Sequence, residues 1–169
     1  MRPKIYSPPC RPRAWPLVVL ERNDGDELVT TTTNGARWTT AAILIARLIF
    51  ALIFVMAVSF KLTNIGGTAA FIAAAGFPAS VLLAWLAALL ELALIAAFLT
   101  GAYFTEAALA AAAYVLFLGF SFHGPAHWAK NQDEFGFFVD HFTLAAGLLF
   151  AAVHGPGRVL ALQRGWISR

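Results

Sequence analysis

The chain has 169 residues, of which 60% are hydrophobic and 12% charged, with a formal net charge of +3 and a mean hydropathy of +0.72. Soluble domains carry about a quarter charged residues, so this composition excludes an ordinary soluble fold and points to a membrane protein. The basic residues sit mostly in the tails beside apolar runs, which topology explains more simply than nucleic-acid binding, and the single Cys10 excludes an intrachain disulfide or a CxxC redox pair.

Residues 1–40 differ in character from the rest. "RPKIYSPPCRPRAWP" is rich in Pro and Arg, "ERNDGDE" is a charge cluster and "TTTTNGARWTT" is polar. Such a stretch is expected to be mostly irregular. Its one early apolar run, "WPLVVL", stops at Glu21 and is too short for a signal peptide, so the tail reads as retained.

The first span is expected over 41–60, where twelve Ile, Leu, Val or Phe residues outweigh Arg47. "LTNIGG" then reads as a turn and "TAAFIAAAGFP" as a short interfacial helix, too short to cross and ended by Gly76 and Pro78. Spans two and three, 78–100 and 104–122, are joined by Gly101-Ala102-Tyr103 and must run antiparallel. After the polar "HGPAHWAKNQDEFG" comes a fourth span, 137–154. Residues 158–169 are a basic tail that reads as an amphipathic surface helix. The expected fold class is therefore an all-α membrane protein, a four-transmembrane-helix bundle over 41–157 with a short interfacial helix between spans one and two.

Six Lys or Arg residues precede the first span and three follow the fourth, while Lys61 and Lys130 alone lie toward the opposite face. The positive-inside rule then places both termini in the cytoplasm. Membrane lipids are the obligatory partners, and nucleic acid is not expected.

Ionisable groups inside the spans each need a partner or a role. At 1.5 Å per residue, Arg47 lies roughly 10 Å and Glu91 roughly 15 Å from the same face, so an intramembrane ion pair, Arg47 with Glu91, is expected to fix helix register or serve a proton or substrate path. Glu106 opens the third span and reads as a helix cap.

Near the other face, Lys61, His123, His127, Trp128, Asp140 and His141 are expected to converge. Gly124-Pro125 breaks the helix between His123 and His127, which disfavours a metal site. The alternatives are a polar cap in which Asp140 holds Lys61 or a histidine, and a site for a quinone or similar headgroup walled by "FGFF" and Trp128.

From Arg47 to Arg158 the chain resembles the DoxX family of small four-helix bacterial membrane proteins. The likeness rests on an Arg in the first span, "FKL" at its end, a short helix reaching "GFP", a Glu in the second span followed by "LTG", a His ending the third, and "GPGR" after the fourth. Leu160 and Leu162 depart from the Ser and Asp that commonly follow in the family. The resemblance implies a subunit of, or associated with, a membrane oxidoreductase, in some relatives one that uses quinone, with Arg47, Lys61, Glu91 and His123 as the polar set.

The functional expectation is a DoxX-like membrane subunit that couples an oxidoreductase partner to the quinone pool, with no covalently bound cofactor and quinone as the exchangeable one. The alternative is a structural or assembly subunit packed on a larger membrane complex. A small channel is disfavoured by the scarcity of pore-facing polar residues. No catalytic residue is identified; if the chain takes part in catalysis, it does so within a quinone-linked oxidoreductase.

Overall fold

A computed structural model describes residues 27–129, 131–162 and 165–167, with side chains described from Arg37 onward. Cys10, the Pro- and Arg-rich stretch and Lys130 lie outside the described residues. The chain divides into two units, Met1–Gly35 and Ala36–Arg169. Of the first, the described part is helical, residues 27–35. The second contains everything that follows.

Six helices make up the described chain: α1 (Glu27–Thr63), α2 (Ile65–Ala74), α3 (Ser80–Thr100), α4 (Phe104–His123), α5 (Pro125–Trp128) and α6 (Asp133–His154). Four segments are long and apolar enough to cross a membrane, Arg37–Thr63, Ser80–Thr100, Phe104–Trp128 and Asp133–His154, and α2 is a short apolar helix after the first. The expected bundle is present, with the starts of the first and fourth helices moved earlier. Helix α1 begins at Glu27, well before residue 41, because a helix nucleated by an apolar span propagates into polar residues at little cost. Helix α6 begins at Asp133 rather than 137: Asn131 Oδ1 accepts from the Asp133 N–H at 3.1 Å, and Asp133 and Glu134 favour a helix N-terminus.

The core is small-residue packing around aromatic rings. Ala108, Ala111 and Ala112 of α4 are fully or almost fully buried with Ala145, Leu148 and Ala152 of α6. Alanines three and four apart form a flat stripe that lets two helices approach closely, which replaces the hydrophobic drive missing in lipid. Gly119 extends this stripe, since a Cβ there would lie 3.0 Å from that of His141. Phe98 of α3 sits among Phe50, Phe54 and Phe104, with centroids 5.7, 5.8 and 5.6 Å away.

Helix α2 starts on Asn64, whose side chain accepts from the Gly67 N–H at 2.8 Å. It packs on α3 through Ala69, Ile72 and Ala84. Phe71 then stacks on Phe122 of α4 at 5.0 Å, and Phe77 meets the same ring tilted at 5.9 Å. An element too short to span is thereby held against the bundle at the end where α1 finishes and α3 begins.

Candidate functional site

Arg47 and Glu91 do not pair. Arg47 is 2% exposed and spends its guanidinium on five backbone carbonyls. Its Nε donates to Phe98 O at 3.0 Å, one terminal nitrogen to Pro156 O and Val159 O at 3.2 and 3.0 Å, and the other to Leu99 O and Leu160 O at 2.9 and 3.0 Å. A guanidinium has five N–H donors, and all are used.

The clamp completes the accounting for α3. A helix ends with four carbonyls that lack an intrahelical partner. Here Ala97 O receives the Gly101 N–H at 2.8 Å and Thr100 O the Leu162 N–H at 2.8 Å, while Arg47 takes Phe98 and Leu99. The positive group also meets the negative end of the α3 dipole.

Residues beyond α6 are consequently not the expected surface helix. The described part, 155–162 and 165–167, is irregular and tied to the bundle by Arg47, by Thr100 and by Glu106. Glu106 Oε1 accepts from the backbone N–H of Trp166 and, at 2.8 Å, of Ile167. It holds this segment rather than simply capping α4, whose N-cap position, Tyr103, has no side-chain cap.

Glu91 is 1% exposed and is the partner of Lys61, Nζ to Oε1 at 2.8 Å. The hydroxyl of Tyr114 donates to the same oxygen at 2.9 Å. Glu91 Oε2 is buried with no hydrogen-bond partner among the described residues; leaving such an atom unmade costs about 1–3 kcal/mol.

Helix geometry explains the exchange of partners. Side chains lean toward the N-terminus of their own helix. Arg47 therefore reaches away from the middle of the bundle, and Glu91 on the antiparallel α3 leans away from Arg47. Lys61 leans back toward Glu91, so far that its Nζ also lies 3.4 Å from Ala57 O.

Beside this pair lies a cavity of about 910 Å³, bounded by α1, α2, α3, α4 and α6. Its walls are apolar, with Phe60, Phe71, Phe77, Phe117, Leu86 and Leu90 prominent, and its polar side chains include Lys61, Tyr114, His123 and His141. Small residues at Ala57 and Ala87 line it where larger ones would reduce the space. Glu91 stands behind Lys61 and Tyr114, off the wall.

Of the six residues expected to converge, Lys61, His123 and His141 do so on the cavity wall. His123 Nδ1 is 2.6 Å from Glu134 Oε2, and the His123 and His141 rings are 5.0 Å apart. The other three stand off the wall. Trp128 supports from outside, its Nε1 donating to His123 O at 2.8 Å and its ring meeting Phe135 and Phe138 edge-on.

His127 and Asp140 are exposed. Asp140 holds neither Lys61 nor His123, because Glu91 and Glu134 occupy those roles. The break at Gly124 does separate His123 from His127, as α4 ends at His123. Among the described residues, no group of three His, Cys, Asp or Glu side chains could hold a metal ion.

Tyr114 and Glu134 are the site residues that sequence reasoning missed. A tyrosine inside an alanine-rich span, "AAAAYV", is the one available signal for the first. Glu134 looked like an ordinary loop charge.

Residues 42–124 match the family model described as DoxX. This stretch is a DoxX domain. No curated protein and no solved structure matches the chain. Arg47, Lys61, Glu91, Tyr114 and His123 all belong to the DoxX domain, whereas Glu134, His141 and the segment clamped by Arg47 lie beyond its matched residues. Leu160 and Leu162, where this chain departs from the expected Ser and Asp, make their contacts through a backbone carbonyl and a backbone N–H. A side-chain change there leaves those bonds available.

Proposed function

We propose that this chain is a DoxX-type subunit of a bacterial cytoplasmic membrane that receives the headgroup of a quinone in the cavity beside Lys61 and links an oxidoreductase partner to the quinone pool. The observation that carries the reading is the cavity itself. At about 910 Å³ it falls within the range of small-molecule sites, about 300–1,000 Å³, and it has the usual apolar wall with a few polar groups. Phenyl rings suit a planar ring and an isoprenoid tail, and Lys61, His123 and His141 supply donors of the kind that hold carbonyl oxygens. The quinone brings reversible two-electron chemistry when bound. The protein's part is to exclude water, orient the ring and manage protons at Lys61 and His123.

The distribution of Lys and Arg supports an orientation with both termini cytoplasmic, so that the cavity opens near the far face of the membrane. The test is purification in mild detergent from the native membrane, with mass spectrometry of the co-purifying proteins and of the extracted lipids. A stoichiometric oxidoreductase partner together with quinone, the quinone being lost in Lys61→Met and in His123→Leu, is the expected result. A large complex with no quinone, unaffected by those substitutions, would leave the chain as an assembly subunit and refute the proposal.

A further inference from the structure

Glu91 is placed for a task that an ion pair does not require. It is almost wholly buried, yet its two near partners, Lys61 and Tyr114, both lie on the cavity wall and both address Oε1. Oε2 has no hydrogen-bond partner among the described residues. A carboxylate kept only for its charge is best served when both oxygens are bonded. A neutral carboxylic acid tolerates a bare carbonyl oxygen far better, because it carries no net charge to solvate.

We infer that Glu91, acting through Lys61, takes up the proton given by a weakly acidic hydroxyl held in the cavity, such as that of a quinol or hydroxyquinone. This rests on the cavity being the headgroup site.

The transfer is acid–base only. The Lys61 Nζ–H bond aimed at Oε1 breaks and an Oε1–H bond forms, leaving an amine and a carboxylic acid. The amine lone pair then takes the proton of the ligand hydroxyl, whose O–H bond breaks, and Lys61 is an ammonium again. In sum, one O–H bond is lost on the ligand and one is gained on Glu91, with no change in electron count. The ligand anion is left facing Lys61, and Tyr114 still donates to Oε1. Glu91 does not line the cavity, so it is a positioning and proton-holding residue. The other titratable groups facing the cavity are His123, bonded to Glu134, and His141.

The experiment is binding of a 3-alkyl-2-hydroxy-1,4-naphthoquinone to the full chain in lipid nanodiscs as a function of pH, with infrared difference spectra of loaded minus unloaded protein. If the anion binds together with a proton on Glu91, affinity falls tenfold per pH unit above the ligand's own pKa. A protonated-carboxyl C=O band, sensitive to D2O, appears on loading. In Glu91→Gln the band is absent and the affinity becomes flat above that pKa, since Lys61 then binds the anion without proton uptake. His123→Gln keeps the tenfold slope.

A flat affinity profile in the unaltered protein, or a carboxyl band that survives in Glu91→Gln, overturns the inference while leaving the cavity as the headgroup site. If Glu91→Gln does not accumulate, Glu91→Asp decides: the shorter side chain draws the carboxyl away from Lys61 and Tyr114, so the band must shift or vanish, and an unchanged band overturns the assignment. No binding of the naphthoquinone at any pH overturns the headgroup site and the inference with it.

Discussion

A double-mutant cycle on the three intramembrane charges discriminates sharply between pairings. Lys61→Met keeps the side-chain length but strands Glu91, which is 1% exposed, with Tyr114 as its remaining donor. Removing one member of a buried pair costs about 3–5 kcal/mol. Glu91→Gln is milder, about 1–2 kcal/mol, because Lys61, whose side chain is 19% exposed, can extend to water and the amide still accepts from Tyr114. The double variant leaves no charge unpaired and loses less than the two singles together, giving a coupling energy of about 3 kcal/mol. Arg47→Leu strands carbonyls at the end of α3 and costs about 3–5 kcal/mol by itself, yet it couples to Glu91→Gln by no more than about 0.5 kcal/mol, as expected for sites without shared partners. Unfolding by SDS in a fixed mixed micelle, followed by far-UV circular dichroism, measures all of these. A coupling above about 1 kcal/mol between Arg47 and Glu91, with none between Lys61 and Glu91, would refute the assignment of partners.

Four further outcomes follow from the same geometry. Gly101 has φ +72° and a Cβ there would fall 2.9 Å from that of Ala161, so Gly101→Ala costs about 1–3 kcal/mol; Gly136→Ala in α6, where a Cβ meets nothing within 4 Å, stabilises by about 0.5–1 kcal/mol. Both are read as shifts of the thermal unfolding midpoint. Ending the chain after Gly155 removes three of the five acceptors of Arg47, Pro156, Val159 and Leu160; it lowers the unfolding midpoint in the unaltered protein and has a much smaller effect in an Arg47→Leu background. Ala87→Phe fills the cavity and brings quinone retention down to background while the unfolding midpoint holds or rises, which separates loss of the site from loss of the fold.

The four spans and the short helix were legible because a bilayer imposes length and hydropathy on each span, and those properties are local in sequence. The partners of the charges were not. Counting residues from a membrane face locates Cα atoms, whereas a pair forms between side-chain ends that lie several ångströms away in a direction set by helix polarity. Applied to Arg47, Glu91 and Lys61, that direction alone reverses the pairing. The C-terminal segment failed for a different reason: "RVLALQRGW" mixes apolar and basic residues as a surface helix does, but the backbone of its described residues is drawn off by acceptor and donor demands at Arg47, Thr100 and Glu106 that lie far away in sequence. Glu134 was hidden in the same way, since a loop charge acquires its role only when α5 and the start of α6 bring it against His123.

Arg47 and Lys61 of the first span illustrate how donor accounting separates structure from function. Both are basic side chains of one apolar helix. Arg47 has five donors and five carbonyl acceptors, so it offers a ligand no hydrogen bond without giving up one that closes a helix end. Lys61 has three donors; one is committed to Glu91 at 2.8 Å and another approaches Ala57 O at a weak 3.4 Å. It keeps donor capacity on the wall of a cavity. A saturated cation holds the fold, and an unsaturated one facing an apolar cavity is where a ligand's oxygen gains most.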